Sequence, residues 1–178
     1  MIRPGFGRLH TGWEIVRRWG PLCLWLMTIG AFSTSAFSAA QTGRFIEPFL
    51  RWLLPGVPSA TIPALHGVIR KGMHVAEFAV LALLWYRGLS WGKRGWQPAV
   101  ALAAFGFAVL TGMADEVHQA FVPLRTASAL DVAWDSLGAL CGLAAWGVLA
   151  GALRLRKKRD ALGEVEVSVG RLGISAGD

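Results

Sequence analysis

Two apolar runs, residues 96–117 and 130–153, stand either side of a short stretch dense in ionisable groups, Asp115-Glu116-Val117-His118-Gln119-Ala120-Phe121-Val122-Pro123-Leu124-Arg125. This arrangement constrains the fold more than any other feature. A helix needs roughly 20 apolar residues to cross a hydrocarbon core. Backbone polar groups inside lipid must also be satisfied within the segment itself, which a helix does and an isolated strand does not. Residues 19–40 and 72–91 form two further runs of spanning length. With 54% hydrophobic residues, a mean hydropathy of +0.46 and nine Trp, the chain lies outside the soluble range. The sequence therefore predicts an all-α polytopic membrane protein, a bundle of four transmembrane helices over residues 19–153. Residues 1–18 and 154–178 are expected as cytoplasmic N-terminus and disordered cytoplasmic tail.

Between the first two runs, residues 41–65 place Phe45, Ile46, Phe49, Leu50, Trp52 and Leu53 on one side of a helix and Arg44, Glu47 and Arg51 on the other. Pro55-Gly56 and Pro58 follow. The pattern reads as a short amphipathic helix lying in the membrane interface, then a loop. Ser38-Ala39-Ala40-Gln41 has the small residues of a signal-peptide cleavage site, but the preceding apolar run exceeds the roughly 7–15 residues of such a peptide. It is read as the first span.

Charge orients the bundle. Thirteen of the eighteen Lys and Arg lie in the N-terminus, the loop with Arg87, Lys93 and Arg94, and the tail. Only Arg44, Arg51, Arg70, Lys71 and Arg125 fall on the other side. The positive-inside rule then puts both termini in the cytoplasm. So uneven a net charge of +7 is an orientation signal and not a nucleic-acid patch, so no nucleic-acid partner is expected. Cys23 and Cys141 sit in apolar runs without metal-ligand spacing and read as core or lipid-facing residues.

With this topology, Lys71, His74, Glu77, Asp115, Glu116, His118, Gln119, Arg125, Asp131 and Asp135 all come to one depth, at the outer leaflet. Ionisable residues there are functional candidates by default. Lys71, His74 and Glu77 step around a helix by about 60° each and share one broad face. Asp131, Asp135, Gly138 and Gly142 fall on one stripe of about 60°, where the glycines admit a close neighbour and turn both carboxylates toward the bundle. Pro123 ends any helical continuation and turns the chain toward Arg125. His66 and His118 are weaker candidates, since an interfacial histidine is comfortable half in water. Ser33, Thr34, Ser35 and Ser38 read as backbone-bonded or packing residues. Arg70, Lys71 and Arg125 can either neutralise acids and hold helix ends together, or contact a ligand; both readings stand. No cofactor motif is present, and a helix-spaced aspartate pair is too common to establish a metal.

At these residues the sequence resembles the VanZ-like family of small bacterial membrane proteins. The likeness rests on Lys71-x-x-His74-x-x-Glu77 and on Asp115-Glu116-x-x-Gln119-x-Phe121-x-Pro123-x-Arg125, followed by Asp131-x-x-x-Asp135-x-x-Gly138-x-x-x-Gly142. Phe32-Ser33-x-Ser35 weakly resembles the serine-rich exit of that family's first helix. Asp135 stands where the family often has Asn, and Leu124 where Gly is common. The resemblance implies a multi-pass protein of the bacterial cytoplasmic membrane, in a family named for a protein associated with resistance to the glycopeptide teicoplanin. Membrane lipids are the expected partners, with a lipid-linked phosphate or cell-wall precursor as ligand. One expected function is binding of such a head group at the outer face, with Arg70, Lys71 and Arg125 on its phosphate or carboxylate. A second is an intramembrane hydrolase or transferase, with His74 as base or nucleophile oriented by Glu77 or an aspartate. Proton transport is a third, set back by the lack of a polar path through residues 101–110 or 137–149. The oligomeric state is not fixed by the sequence.

Overall fold

The computed structural model describes residues 12–174, with side chains as far as residue 164. The basic positions Arg3 and Arg8 lie outside the described residues. Five α-helices are present: α1 (Gly12–Phe32), α2 (Ala39–Leu53), α3 (Ile62–Leu89), α4 (Pro98–Ala120) and α5 (Ala129–Ile174). Short 3-10 turns at Ser35–Phe37 and Ser59–Thr61 complete the order, and no strand occurs among the described residues. The all-helical class matches the expectation.

By length and composition alone, α4 and α5 can each cross a membrane, and α1 with the segment after it forms a third, bent pair. The polar first half of α3, with His66, Arg70, Lys71, His74 and Glu77, keeps that helix out of such a count. Where residues 19–40 were expected as one span, α1 ends at Phe32 and the chain bends by 71° into the next segment. The serine-rich stretch supplies the reason. Thr34 bonds the carbonyl of Ala31, and Ser38 caps α2 by accepting from the Gln41 amide, so local side chains compete with helical continuation. The amphipathic helix is found as α2.

Two other boundaries depart from the sequence reading. Helix α3 starts ten residues before residue 72, because Pro63 suits a first turn and Ile62 is fully buried beneath it. Helix α5 continues through Ile174, where a disordered tail was expected. No proline follows Pro123, and the Arg, Lys, Leu and Ala after residue 153 are good helix formers. At 46 residues, α5 is about 69 Å long against a hydrocarbon core of about 30 Å, so roughly half of it lies beyond any single crossing.

Helix α3 is the central element and packs on all four other α-helices. Its Phe78, Leu81, Ala82 and Tyr86 meet Ala101, Ala104 and Ala108 of α4, Ala139 and Leu143 of α5, and Leu22 and Ile29 of α1. Small residues on α4 and α5 set the spacing. A Cβ at Gly138 would lie 2.1 Å from the Val75 carbonyl oxygen, and one at Gly142 would lie 2.9 Å from that of Ala79, so the α3 backbone runs directly over this stripe. Tyr86 accepts from the Gln97 amide at 3.0 Å and the Trp25 indole donates to the Glu77 carbonyl at 3.0 Å, tying the ends of α4 and α1 to α3. At the opposite end from the polar cluster, Arg87 donates to the carbonyls of Arg17 and Arg18. Cys23 and Cys141 are free and exposed on the outer faces of their helices.

The glycine stripe yields a direct test. Gly138→Ala is expected to destabilise the bundle by about 3 kcal/mol or more, the upper end for overpacking, because the obstacle is backbone. Gly151→Ala, which meets nothing within 4 Å, should leave thermal unfolding in detergent unchanged or slightly raised. Equal melting temperatures for the two variants would refute the close α3–α5 approach.

Candidate functional site

The first half of α3, the end of α4 and the start of α5 meet at one end of the bundle, and the bend between α1 and α2 folds over them. Lys71 of α3 is ion-paired with Asp131 of α5. One turn further, His74 Nδ1 and Asp135 Oδ1 are 3.0 Å apart. Asp135 is wholly buried, and its Oδ2 has no partner among the described residues. That oxygen fits beside Gly112, where a Cβ would come within 3.1 Å of it. The aspartate–glycine stripe read from the sequence thus faces α3, where Lys71 meets Asp131 and His74 meets Asp135.

On α4, Asp115 accepts from the hydroxyl of Ser33, the residue after α1, and Gln119 donates to Asp115 Oδ2 at 2.7 Å and to Ser33 Oγ at 3.3 Å. Glu116 turns the other way and is buried, accepting from the Ser128 amide at 2.6 Å just ahead of α5. It fixes the approach of the connecting loop. Glu77 lies a turn beyond His74, and its Oε1 is buried without a partner among the described residues.

Arg125, in the α4–α5 loop, reaches across to the exposed end of α1, donating from Nε to the Thr34 carbonyl at 3.1 Å and from Nη2 to the Phe32 carbonyl. A guanidinium at a helix C-terminus satisfies orphan carbonyls and the negative end of the dipole. Desolvation and the nearby Arg70 lower the Arg125 pKa from its ordinary value, yet an arginine keeps its proton. Arg70 donates to the Phe37 carbonyl at 3.1 Å and to Thr42 Oγ1 at 3.5 Å, holding the start of α2. Neither arginine has a carboxylate at ion-pair distance among the described residues.

These groups surround a cavity of about 130 Å³. Its polar lining is Ser33, Thr42, Arg70, His74, Glu77, Asp115, Gln119 and Arg125; its apolar lining is Ile29, Phe32, Phe37, Ile46 and Met73. Of the sequence candidates, His74, Glu77, Asp115, Gln119 and Arg125 therefore share one space. Lys71, Glu116, Asp131 and Asp135 do not line it, and of the two roles open to Lys71, acid partner or ligand contact, its ion pair with Asp131 is the first. No three His, Cys, Asp or Glu side chains converge as a metal set among the described residues.

Two histidines separate sharply. His118 is exposed, whereas His66, expected half in water, is 4% exposed, with Thr42 Oγ1 at 3.2 Å from Nε2 and Glu47 at 3.7 Å from Nδ1. Gly43 of α2 lies against the ring. Ser33 and Thr42 belong to the cavity although they were read as packing or not singled out. The weak signal for Ser33 was the Phe32-Ser33-x-Ser35 pattern; nothing in the sequence marks Thr42.

A family model described as VanZ/LLP1 matches residues 19–150, most of the chain and every cavity residue. No curated protein and no solved structure matches it.

The loop carries one strained residue. Leu124, where the resembled family commonly has Gly, adopts a φ of 65° with its side chain 68% exposed. A left-handed conformation costs a leucine about 1–2 kcal/mol, partly offset in a glycine variant by extra unfolded-state entropy. Leu124→Gly is expected to stabilise by up to about 1 kcal/mol, and Leu124→Ile to destabilise, in thermal unfolding. A lower melting temperature for Leu124→Gly would contradict this turn geometry.

Proposed function

Because the chain belongs to the VanZ/LLP1 family and its apolar helices mark it as a membrane protein, we propose that it holds the anionic head group of a lipid in the cavity beneath the α1–α2 bend. One observation carries this reading: two guanidiniums, Arg70 and Arg125, line a single cavity with an apolar patch, and neither has a carboxylate at ion-pair distance among the described residues, although Glu77 and Asp115 line the same space. Both have N–H donors left after their bonds to backbone carbonyls, since a guanidinium carries five. Two like charges at close quarters repel, and an anion between them removes that cost. The apolar wall of Ile29, Phe32, Phe37, Ile46 and Met73 suits the first methylenes of a lipid tail.

In this reading α3 joins α1, α4 and α5 as a fourth span, its polar half reaching the interface. Both termini face the cytoplasm of a bacterium and the cavity opens at the outer face of the cytoplasmic membrane. The head group belongs to a lipid-linked phosphate or cell-wall precursor. Sheltering it there alters the access of glycopeptides such as teicoplanin to their targets.

The test is native mass spectrometry of the full chain in nanodiscs loaded with dioctanoyl phosphatidic acid or, for comparison, dioctanoyl phosphatidylcholine. The wild type is expected to retain the phosphate monoester selectively. Arg70→Ala should weaken retention about tenfold or more, as for loss of a charged hydrogen bond, while Lys93→Ala on the opposite loop should not. Equal retention by wild type and Arg70→Ala would rule out the arginine-lined cavity as the site.

A further inference from the structure

The pairing of His74 with Asp135 does more than join two helices. The Lys71–Asp131 pair already ties α3 to α5 at the same interface, one turn away. His74 differs in that only one ring nitrogen is used. Nδ1 is held by the wholly buried Asp135, which fixes the ring and the tautomer, while the same side chain lines the cavity that Arg70 and Arg125 enter. Nε2 has no protein partner among the described residues. Glu77, three residues along the same helix face, lines that cavity too, and its Oε1 is also unpartnered. An imidazole oriented by a buried carboxylate, an adjacent carboxyl group and two guanidiniums make up the parts of acid–base hydrolysis of a phosphate ester.

Resting on the reading of the cavity as a phosphate head-group site, we propose that the chain hydrolyses a lipid-linked phosphate ester, with His74 as general base and Glu77 as general acid. His74 Nε2 takes a proton from water as the water oxygen forms a bond to phosphorus. The bond from phosphorus to the lipid oxygen breaks, and that oxygen takes the proton of the Glu77 carboxyl group, leaving a lipid alcohol or lipid phosphate and inorganic phosphate. The imidazolium returns its proton to Glu77, three residues away on the same face, so both groups end as they began. Arg70 and Arg125 balance the charge on the phosphoryl oxygens. Asp135 is a positioning residue: it touches His74 and not the substrate.

The experiment uses the full chain in nanodiscs with two probes that share a lipid phosphate ester but differ in tail, dioctanoyl phosphatidic acid and farnesyl diphosphate. It measures release of inorganic phosphate beside retention of the probe by native mass spectrometry. Release is expected from at least one probe. His74→Gln should lower kcat about 10²-fold or more with KM and retention near wild type, and Asp135→Asn should give a smaller loss in kcat, again without a change in KM. Glu77→Gln, which loses no protein partner at Oε1, provides an independent variant with kcat also down about 10²-fold. A retained probe with no release above the His74→Gln background, or an unchanged kcat in Glu77→Gln, would overturn the hydrolytic step and leave the head-group site standing. Failure of the wild type to retain either probe would remove the site on which the step depends.

Discussion

Burying an ionisable side chain between helices is costly unless another group compensates it, and the α3–α5 contact is built around that constraint. Compensation here requires α3 and α5 to run close together. Gly138 and Gly142 allow this, because a side chain at either position would collide with the backbone of α3. Once the helices are in contact, the acids at positions 131 and 135 face Lys71 and His74 in register. Four-residue steps on α5 meet three-residue steps on α3, and both keep to one face of a helix.

The second half of the site depends on a break and not on a helix. Apolar composition alone would carry α1 onward, but the serine- and threonine-rich exit stops it at Phe32 and turns the chain. Arg125 binds the Phe32 and Thr34 carbonyls at that end, and Arg70 binds the Phe37 carbonyl of the 3-10 turn that follows. Ser33 sits at the same end and joins Asp115 and Gln119. The bend thus closes a cavity and recruits both arginines to its wall in one arrangement. A straight span through residue 40 would supply neither.

The sequence made the periodic features legible and hid those that depend on azimuth or local competition. The stripe from Asp131 to Gly142, the polar opening face of α3 and the amphipathic α2 all follow from spacing, and all are present. The meeting of the ionisable groups at one end of the bundle also follows, since helix order sets it. Which acid meets which basic group does not, because helix order says nothing of rotation about the helix axis; Lys71 reads equally as an acid's partner or a ligand contact, and it pairs with Asp131. His66 reads as interfacial, since its burial comes from α2 packing across α3, which local spacing does not reveal. The tail reads as polar and disordered, although the Arg, Lys, Leu and Ala of residues 154–162 favour the helix that forms. The strain at Leu124 was visible as a leucine where the resembled family tends to have glycine.

The whole account depends on cross-helix pairing of specific groups, so a double-mutant cycle between His74 and Asp135 tests it most directly. Unfolding free energies of the full chain in detergent would be compared for wild type, His74→Ala, Asp135→Ala and the double variant. A direct buried pair predicts a coupling energy of about 1–3 kcal/mol, with the double variant less destabilised than the sum of the single ones. Additivity to within about 0.5 kcal/mol would contradict it, and with it the assembly of the site across α3 and α5.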